Sequence, residues 1–146
     1  MGAASMRFDL EQRRAATEKV VARFRARPFS WSDRRTCIHL ARAQMVALGH
    51  RPPRLPDMRS GVTATRALKA TGYETLEALL DSLLPRVAPA AMWLGDLALM
   101  AGGAGFDAIV INAGGKVLGY HDDRLGDGLV NIVPVGPAHF IAAWRL

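Results

Sequence analysis

Apolar residues follow two different spacings along the chain, and the change comes near residue 90. In the first part they recur every three or four positions, which is typical of amphipathic helices. This spacing predicts helices over residues 7–26, from Asp33 or Thr36 to Leu48, and over about 62–71 and 74–84. Pro28, Gly49 and Gly72 are expected to end the first three helices. Three prolines within residues 50–60 predict a loop between the second and third helices.

After residue 90 the apolar residues form short runs that glycine interrupts, a pattern typical of strands. Strands are predicted over residues 97–102, 106–113, 116–121, 129–135 and 140–146. Gly114-Gly115 lies between two of these runs and indicates a two-residue hairpin turn. Helices followed by consecutive strands predict an α+β protein whose sheet is an antiparallel β-meander.

The charge of the chain is concentrated in its first part. The sequence carries 19 Lys and Arg against 13 Asp and Glu, a formal net charge of +6. Residues 1–89 hold sixteen of these cations and eight of the acids, so their net charge is +8. This charge is typical either of a solvated surface or of a surface that binds nucleic acid, an anionic cell-wall polymer or an acidic protein.

Composition narrows the class of protein further. The single cysteine, Cys37, excludes an internal disulfide. No apolar run reaches the roughly 18 residues that a membrane-spanning helix needs. The first residues lack the apolar centre of a signal peptide, so we expect a protein made in the cytoplasm.

Several short motifs occur in an order that resembles a known family. Phe29-x-Trp31 precedes Cys37 on a predicted helix; Gly95-Asp96-Leu97 precedes the segment from Asp107 to Val117; and Ala143-Trp144-Arg145 closes the sequence. This order resembles the NlpC/P60-type, papain-like cysteine peptidases, and in particular their small relatives in phage and prophage tails. The resemblance implies a papain-like domain over residues 28–146. Residues 1–27 lie outside the resemblance, and their narrow apolar stripe and basic charge predict a helical arm that packs on this domain or on a neighbour.

The resemblance also assigns catalytic positions. The family's nucleophile corresponds to Cys37, and the residue before it, which is aspartate in many members, corresponds to Thr36. The general-base histidine of the family corresponds to Asp107. The third polar residue, which orients that histidine, corresponds to a position near Gly119. A helix N-terminus, with Arg34 and Arg35 nearby, would lower the pKa of the Cys37 thiol. A carboxylate at Asp107 would raise that pKa and is too weak a base to accept a thiol proton near neutral pH.

His121 is the candidate substitute base, because alternation along a strand would put it on the same face as Gly119. His39 lies roughly 200° around the helix from Cys37, so its side chain should point elsewhere. His39 is therefore interpreted as a surface or packing residue. His50, which follows the end of the helix, and His139, near the last strand, are interpreted in the same way. Trp31 and Trp93 would either line a groove or anchor the core.

Two further segments carry no predicted chemistry. Asp122, Asp123 and Asp127 lack the spacing of a calcium loop and indicate a polar turn. Gly102–Gly105 lacks the lysine of a phosphate loop and indicates a connection between strands. No metal ion or cofactor is expected.

Three functions remain open at this point. The first is an assembly component of a phage or prophage tail tip, built on a papain-like domain without catalytic activity. Such a protein would be located in the virion and would contact other virion proteins. The second is an active cysteine peptidase or amidase that cleaves peptidoglycan stem peptides, with Cys37 as nucleophile and His121 as base. The third is a basic nucleic-acid-binding module, which lacks a recognised motif. The absent histidine favours a non-enzyme.

Overall fold

The computed structural model describes residues 8–101, 107–132 and 140–146 of the chain. These residues form four α-helices, two short 3₁₀ segments at Pro89–Ala91 and Asp122–Asp127, and one antiparallel sheet of six strands. The helices are α1 (Leu10–Phe24), α2 (Cys37–Ala47), α3 (Gly61–Ala70) and α4 (Leu76–Leu83). The strands are β1 (Arg86–Val87), β2 (Leu97–Met100), β3 (Ala108–Asn112), β4 (Val117–Gly119), β5 (Val130–Ile132) and β6 (Phe140–Trp144). The predicted α+β class is confirmed.

Each helix begins at a side chain that caps its first backbone N–H groups. Asp9 and Gln12 form a reciprocal capping box on α1, and Ser60 and Thr63 form one on α3. Thr36 caps α2 and Thr75 caps α4. Gly49 and Gly72 follow the ends of α2 and α3 with φ of 85° and 91°, a conformation that glycine adopts without steric cost. The predicted helices are therefore confirmed within a few residues of their ends.

The sheet departs from a simple meander. Its strand order is β1-β6-β2-β3-β4-β5, so only β2 to β5 follow one another as neighbours. β6 returns to pair with β2, and β1, which the sequence pattern did not indicate, pairs with β6. The predicted meander is wrong for these two strands, because pairing between residues 97 and 144 leaves no local signal in the sequence.

The two faces of the sheet have different coverings. Leu97, Leu99, Ile109, Ile111, Tyr120 and Trp144 belong to the main core, together with Phe24 and Leu40 of the helices. The alternate strand residues form a smaller cluster of Ala98, Met100, Val110, Val117 and Ala143. The face that carries the main core is therefore covered by the helices, and side chains of α1 and α2 contact those of the sheet there.

The N-terminal helix packs on its own chain through a buried ionic cluster. Asp96 is fully buried, and its carboxylate accepts hydrogen bonds from Arg13 at 2.6 Å and from Arg145 at 2.8 Å. It also accepts the backbone N–H groups of Trp93 at 2.7 Å and Leu146 at 3.0 Å. Arg13, on α1, further donates to the main-chain oxygen of Leu146. One carboxylate thus joins α1, the start of β2 and the end of β6.

Gly95 makes room for this packing. Its φ is 94°, and a Cβ there would lie 2.9 Å from Oγ1 of Thr17 and 3.1 Å from Nε2 of Gln44. Gln44, on α2, donates hydrogen bonds to Thr17 and to the carbonyl oxygen of Gly95, both at 3.0 Å. The Gly-Asp-Leu motif is therefore explained by packing: glycine admits two helices, and aspartate binds two arginines.

Candidate functional site

The candidate site is built around the first residue of α2. Thr36 is completely buried and its hydroxyl accepts the backbone N–H of His39, which fixes the start of the helix. Cys37 follows as the first helical residue, and its side chain is half-buried. The helix thus presents its N-terminal, partly positive end at the thiol.

The packing of α2 on the sheet determines what Cys37 faces. Helix α2 packs across β3. Near the carboxyl end of α2, Gln44 hydrogen-bonds to the carbonyl oxygen of Gly95, whose own N–H bonds to Asn112 at the end of β3. Both elements therefore end on the same side of the molecule, so Cys37 lies toward the end where β3 begins. Asp107 directly precedes β3 there and is half-buried.

Tyr120 is the residue that sequence reasoning missed. The register pairs Ile111 with Leu118, and continuing it places Tyr120 opposite Ile109 on the face toward the helices. Its ring is buried and packs edge-to-face on Phe29 with centroids 5.5 Å apart. Its hydroxyl has no hydrogen-bond partner among the described residues. Burial raises the pKa of Tyr120 to about 12, with Arg35 acting to lower it and Cys37 to raise it.

Gly119, near which the resemblance places the third polar residue, lies on the face of the sheet that is turned away from the helices. A Cβ at Gly119 would lie 2.6 Å from Cγ1 of Val110, which belongs to the cluster on the other face of the sheet. Because side chains alternate along a strand, the face toward α2 carries Leu118 and Tyr120 instead. The sequence shows Gly119 and Tyr120 as successive residues with opposite side-chain directions. Only the register of β4 against β3 decides which of these two residues lies on the face toward the helix.

The same strand geometry bears on His121. The prediction connected His121 to Cys37 through a face shared with Gly119, and that face is turned away from α2. His121 follows the end of β4, is half-buried, and accepts the backbone N–H of Arg124 on its carbonyl oxygen at 2.9 Å. Its role as a substitute base stays a prediction.

His39 is buried in a different environment from Cys37. Nδ1 of His39 lies 2.8 Å from the hydroxyl of Thr36. Burial and the charges of Arg34, Arg35 and Arg42 lower the pKa of His39 to about 4, so the ring is neutral near pH 7. His39 is a packing residue of α2 with arginines on its exposed side.

The remaining candidates have structural partners. The Asp122–Asp127 segment connects the paired strands β4 and β5, and Arg124 forms an exposed ion pair with Asp127. Trp93 lies under the guanidinium of Arg145 at 3.5 Å, and Trp31 packs edge-to-face on Phe29. Trp144 donates its indole N–H to Asp81.

Within the described ranges, no three His, Cys, Asp or Glu side chains cluster as a metal site would require. His50 is half-buried after the end of α2. Gly102–Gly105 and His139 lie outside the described residues. No helix in the described part of the chain is long and apolar enough to cross a membrane.

Comparison with known families gives one match. A family model described as a domain of unknown function, DUF6950, matches residues 8–146. The chain belongs to the DUF6950 family. The matched region includes α1 together with the sheet and both ends of the Asp96 cluster. No curated protein and no solved structure gave a match.

Proposed function

We propose that this DUF6950 chain is a non-catalytic assembly component of a phage or prophage tail, built on a papain-like domain whose active site has lost its base. In this proposal Cys37 is a structural thiol. The partners are other proteins of the tail tip, and the protein resides in the virion after synthesis in the bacterial host.

The observation that carries the proposal is the identity of the residues at the end of the sheet toward which the N-terminus of α2 lies. Peptidase chemistry requires a base that accepts the thiol proton near neutral pH. The strand position that the resemblance assigns to this base holds Asp107, and the neighbouring strand presents Tyr120, whose pKa burial raises to about 12. An aspartate carboxylate is too weak a base to accept the thiol proton, and a tyrosine with so high a pKa keeps its own proton near pH 7 and cannot act as a base.

The architecture supports the papain-like part of the proposal. A cysteine at the first position of a helix that packs on an antiparallel sheet is the arrangement that the resemblance implies. The residues of the shared motifs serve packing: Gly95 admits the helices, Asp96 binds Arg13 and Arg145, and Trp144 is buried in the core. A domain can keep these residues after its catalysis is lost.

One observation favours the second candidate, a cysteine peptidase or amidase acting on peptidoglycan. Cys37 is only half-buried, and Arg35 is close enough to act on the same hydroxyl of Tyr120 that Cys37 does. A helix N-terminus and an arginine both stabilise a thiolate. This candidate differs from the first in requiring a thiolate near neutral pH.

The alkylation rate of Cys37 separates the two candidates. Because the chain has one cysteine, iodoacetamide labelling reports on Cys37 alone. We expect the folded protein at pH 7 to react no faster than the chain unfolded in urea. Y120F should change that rate by less than about twofold and leave the melting temperature unchanged or raised, since it removes an unpartnered buried hydroxyl. A folded rate at least about tenfold above the unfolded one would contradict the proposal and favour the enzyme.

The assembly role needs a second experiment. Particles purified from a strain that encodes the protein should contain it, and C37S should leave both its incorporation and the particle yield unchanged. Hydrolysis of isolated stem peptides by the wild type, lost in C37S, would instead establish the peptidase. Absence of the protein from purified particles would overturn the assembly role whatever the thiol does.

A further inference from the structure

Five arginines from four separate segments converge on one cavity beside α2. The cavity has a volume of about 490 Å³ and is lined by Arg23, Arg34, Arg35, Arg42 and Arg54, with His39 in its wall. Arg23 comes from α1, Arg42 from α2, and Arg54 from the proline-rich loop. The volume lies in the range of small-molecule sites, which is about 300–1,000 Å³.

The turn that precedes α2 carries two of these arginines. Ser30 and Arg35 exchange both backbone hydrogen bonds at 2.8 Å, which closes the turn. Arg34 within it has a φ of 59°, a left-handed conformation that is unfavourable for a residue other than glycine. The turn therefore keeps an arginine where glycine would be the relaxed choice, and both arginines line the cavity.

The charge of these arginines is not compensated by any carboxylate that the structure describes. Among the described residues, none of the five arginines forms an ion pair with an aspartate or glutamate. The stem of Arg42 is held by a hydrogen bond from Nε to the carbonyl oxygen of Pro53 at 3.0 Å. Nε of Arg35 is buried without a partner, and its guanidinium lies 5.0 Å from the ring centre of Phe24. The five arginines therefore concentrate positive charge and N–H donors around this one cavity.

The geometry selects among anions. Planar guanidinium groups recognise phosphate through paired N–H donors, and five of them exceed what one carboxylate can accept. The two aromatic rings of the lining, Phe24 and His39, are 1% and 9% exposed, so neither offers a broad surface on which a base could stack. This arrangement favours a compact ligand with several phosphate charges over a nucleic-acid strand.

We propose that this cavity is a binding site for a small molecule that carries two or more linked phosphate groups. The site goes beyond the proposed assembly function and does not depend on it, because the cavity uses neither Cys37 nor Tyr120. It also accounts for part of the excess of positive charge in residues 1–89.

Calorimetric titration of the intact protein with inorganic pyrophosphate tests the site. We expect saturable binding to one site and weaker binding of orthophosphate. R35Q should weaken pyrophosphate binding about tenfold to a hundredfold, the usual loss for a charge-assisted hydrogen bond. R66Q makes the same charge change on an exposed arginine of α3 outside the cavity, and should weaken binding less than about twofold.

R34G separates loss of the site from loss of the fold. Glycine relaxes the left-handed backbone at position 34, so R34G should be at least as thermally stable as the wild type while it binds pyrophosphate more weakly. Undetectable binding by the wild type at millimolar pyrophosphate would overturn the proposal. So would an equal effect of R66Q and R35Q, or tighter binding of a short single-stranded oligonucleotide than of pyrophosphate.

His39 supplies an independent readout. The groups around its ring are the hydroxyl of Thr36 and the guanidinium groups of Arg34, Arg35 and Arg42, with Arg23 and Arg54 also lining the cavity. A bound polyanion opposes these charges, so saturating pyrophosphate should raise the pKa of His39, followed by NMR, from about 4 toward 6.5. An unchanged titration with pyrophosphate bound would place the ligand elsewhere and refute this site.

Discussion

Replacing Asp96 by asparagine should detach the N-terminal helix from the rest of the fold. The carboxylate is fully buried and binds Arg13, 3% exposed, and Arg145, 13% exposed. Asparagine keeps the size of the side chain but removes its charge and turns one acceptor oxygen into an N–H donor. That donor would face either Arg13 and the N–H of Leu146, or Arg145 and the N–H of Trp93.

The magnitude follows from the burial of the three groups. Removing one partner of a buried ion pair costs about 3–5 kcal/mol, because the other charge is left without compensation. D96N leaves two such charges, so we expect the free energy of unfolding to fall by at least about 3 kcal/mol. At about 4 °C per kcal/mol for a domain of this size, the melting temperature should fall by about 12 °C or more.

Urea unfolding of D96N should be compared with that of E18Q. Glu18 also pairs with an arginine, Arg14, at 2.6 Å, but both side chains are largely exposed. E18Q makes the same chemical change and should cost less than about 1 kcal/mol. Limited trypsin digestion of D96N should additionally cleave within α1, where Arg13 and Arg14 become accessible once the helix detaches.

Similar losses in D96N and E18Q would refute the reasoning. That result would mean that α1 is held by its apolar contacts, Val20, Val21 and Phe24, and that the ionic cluster adds little. A large loss in D96N without new cleavage in α1 would instead place the destabilisation at Arg145 and the end of β6.

Two further predictions concern a backbone contact and acid stability. G128A should lower the free energy of unfolding by about 2–5 kcal/mol, because its Cβ would lie 2.1 Å from the carbonyl oxygen of Arg25. Gly115 has a similar positive φ but open space around it, so G115A should lower that free energy by only about 1–2 kcal/mol. Equal shifts of the melting temperature in the two variants would contradict this. His39 has a pKa of about 4 when folded and about 6.5 when unfolded, so the unfolded chain binds more protons between these values and stability falls as pH drops from about 6.5 to 4. Between pH 7 and pH 4.5, the two conditions for urea unfolding, the loss of unfolding free energy attributable to His39 should be about 2–2.5 kcal/mol. It should be absent in H39Q, and an identical pH dependence of the two proteins would rule it out.

Local signals were sufficient for the helices. The threonine and serine caps, the positions of Gly49 and Gly72, and the apolar spacing are all properties of neighbouring residues, and these helices form where the spacing predicts. The strands from β2 to β5 are predicted because each is a short apolar run, and each pairs with its neighbour in the sequence. β1 and the position of β6 were not predictable, because their pairing joins segments that are distant in the sequence.

The candidate site was predictable only in part. Cys37 at the start of a helix and Asp107 at the start of a strand are visible in the sequence, and the packing of α2 on β3 brings them to one end of the sheet. Tyr120 was missed because a shift of one residue along a strand exchanges the two faces of the sheet. The arginine-lined cavity was visible only as an uneven charge, since its residues come from four separate segments.

The sequence by itself therefore determined which segments form helices and strands, that the class is α+β, and that the cysteine at the start of α2 has no histidine at the position the resemblance assigns to one. The tertiary structure decided what surrounds the thiol, which arginines share a cavity, and that Asp96 joins α1 to the start of β2 and the end of β6. The physical reason is the range of the interactions. Capping and periodicity act within a few residues, whereas burial and charge compensation depend on which distant side chains the packed chain brings together.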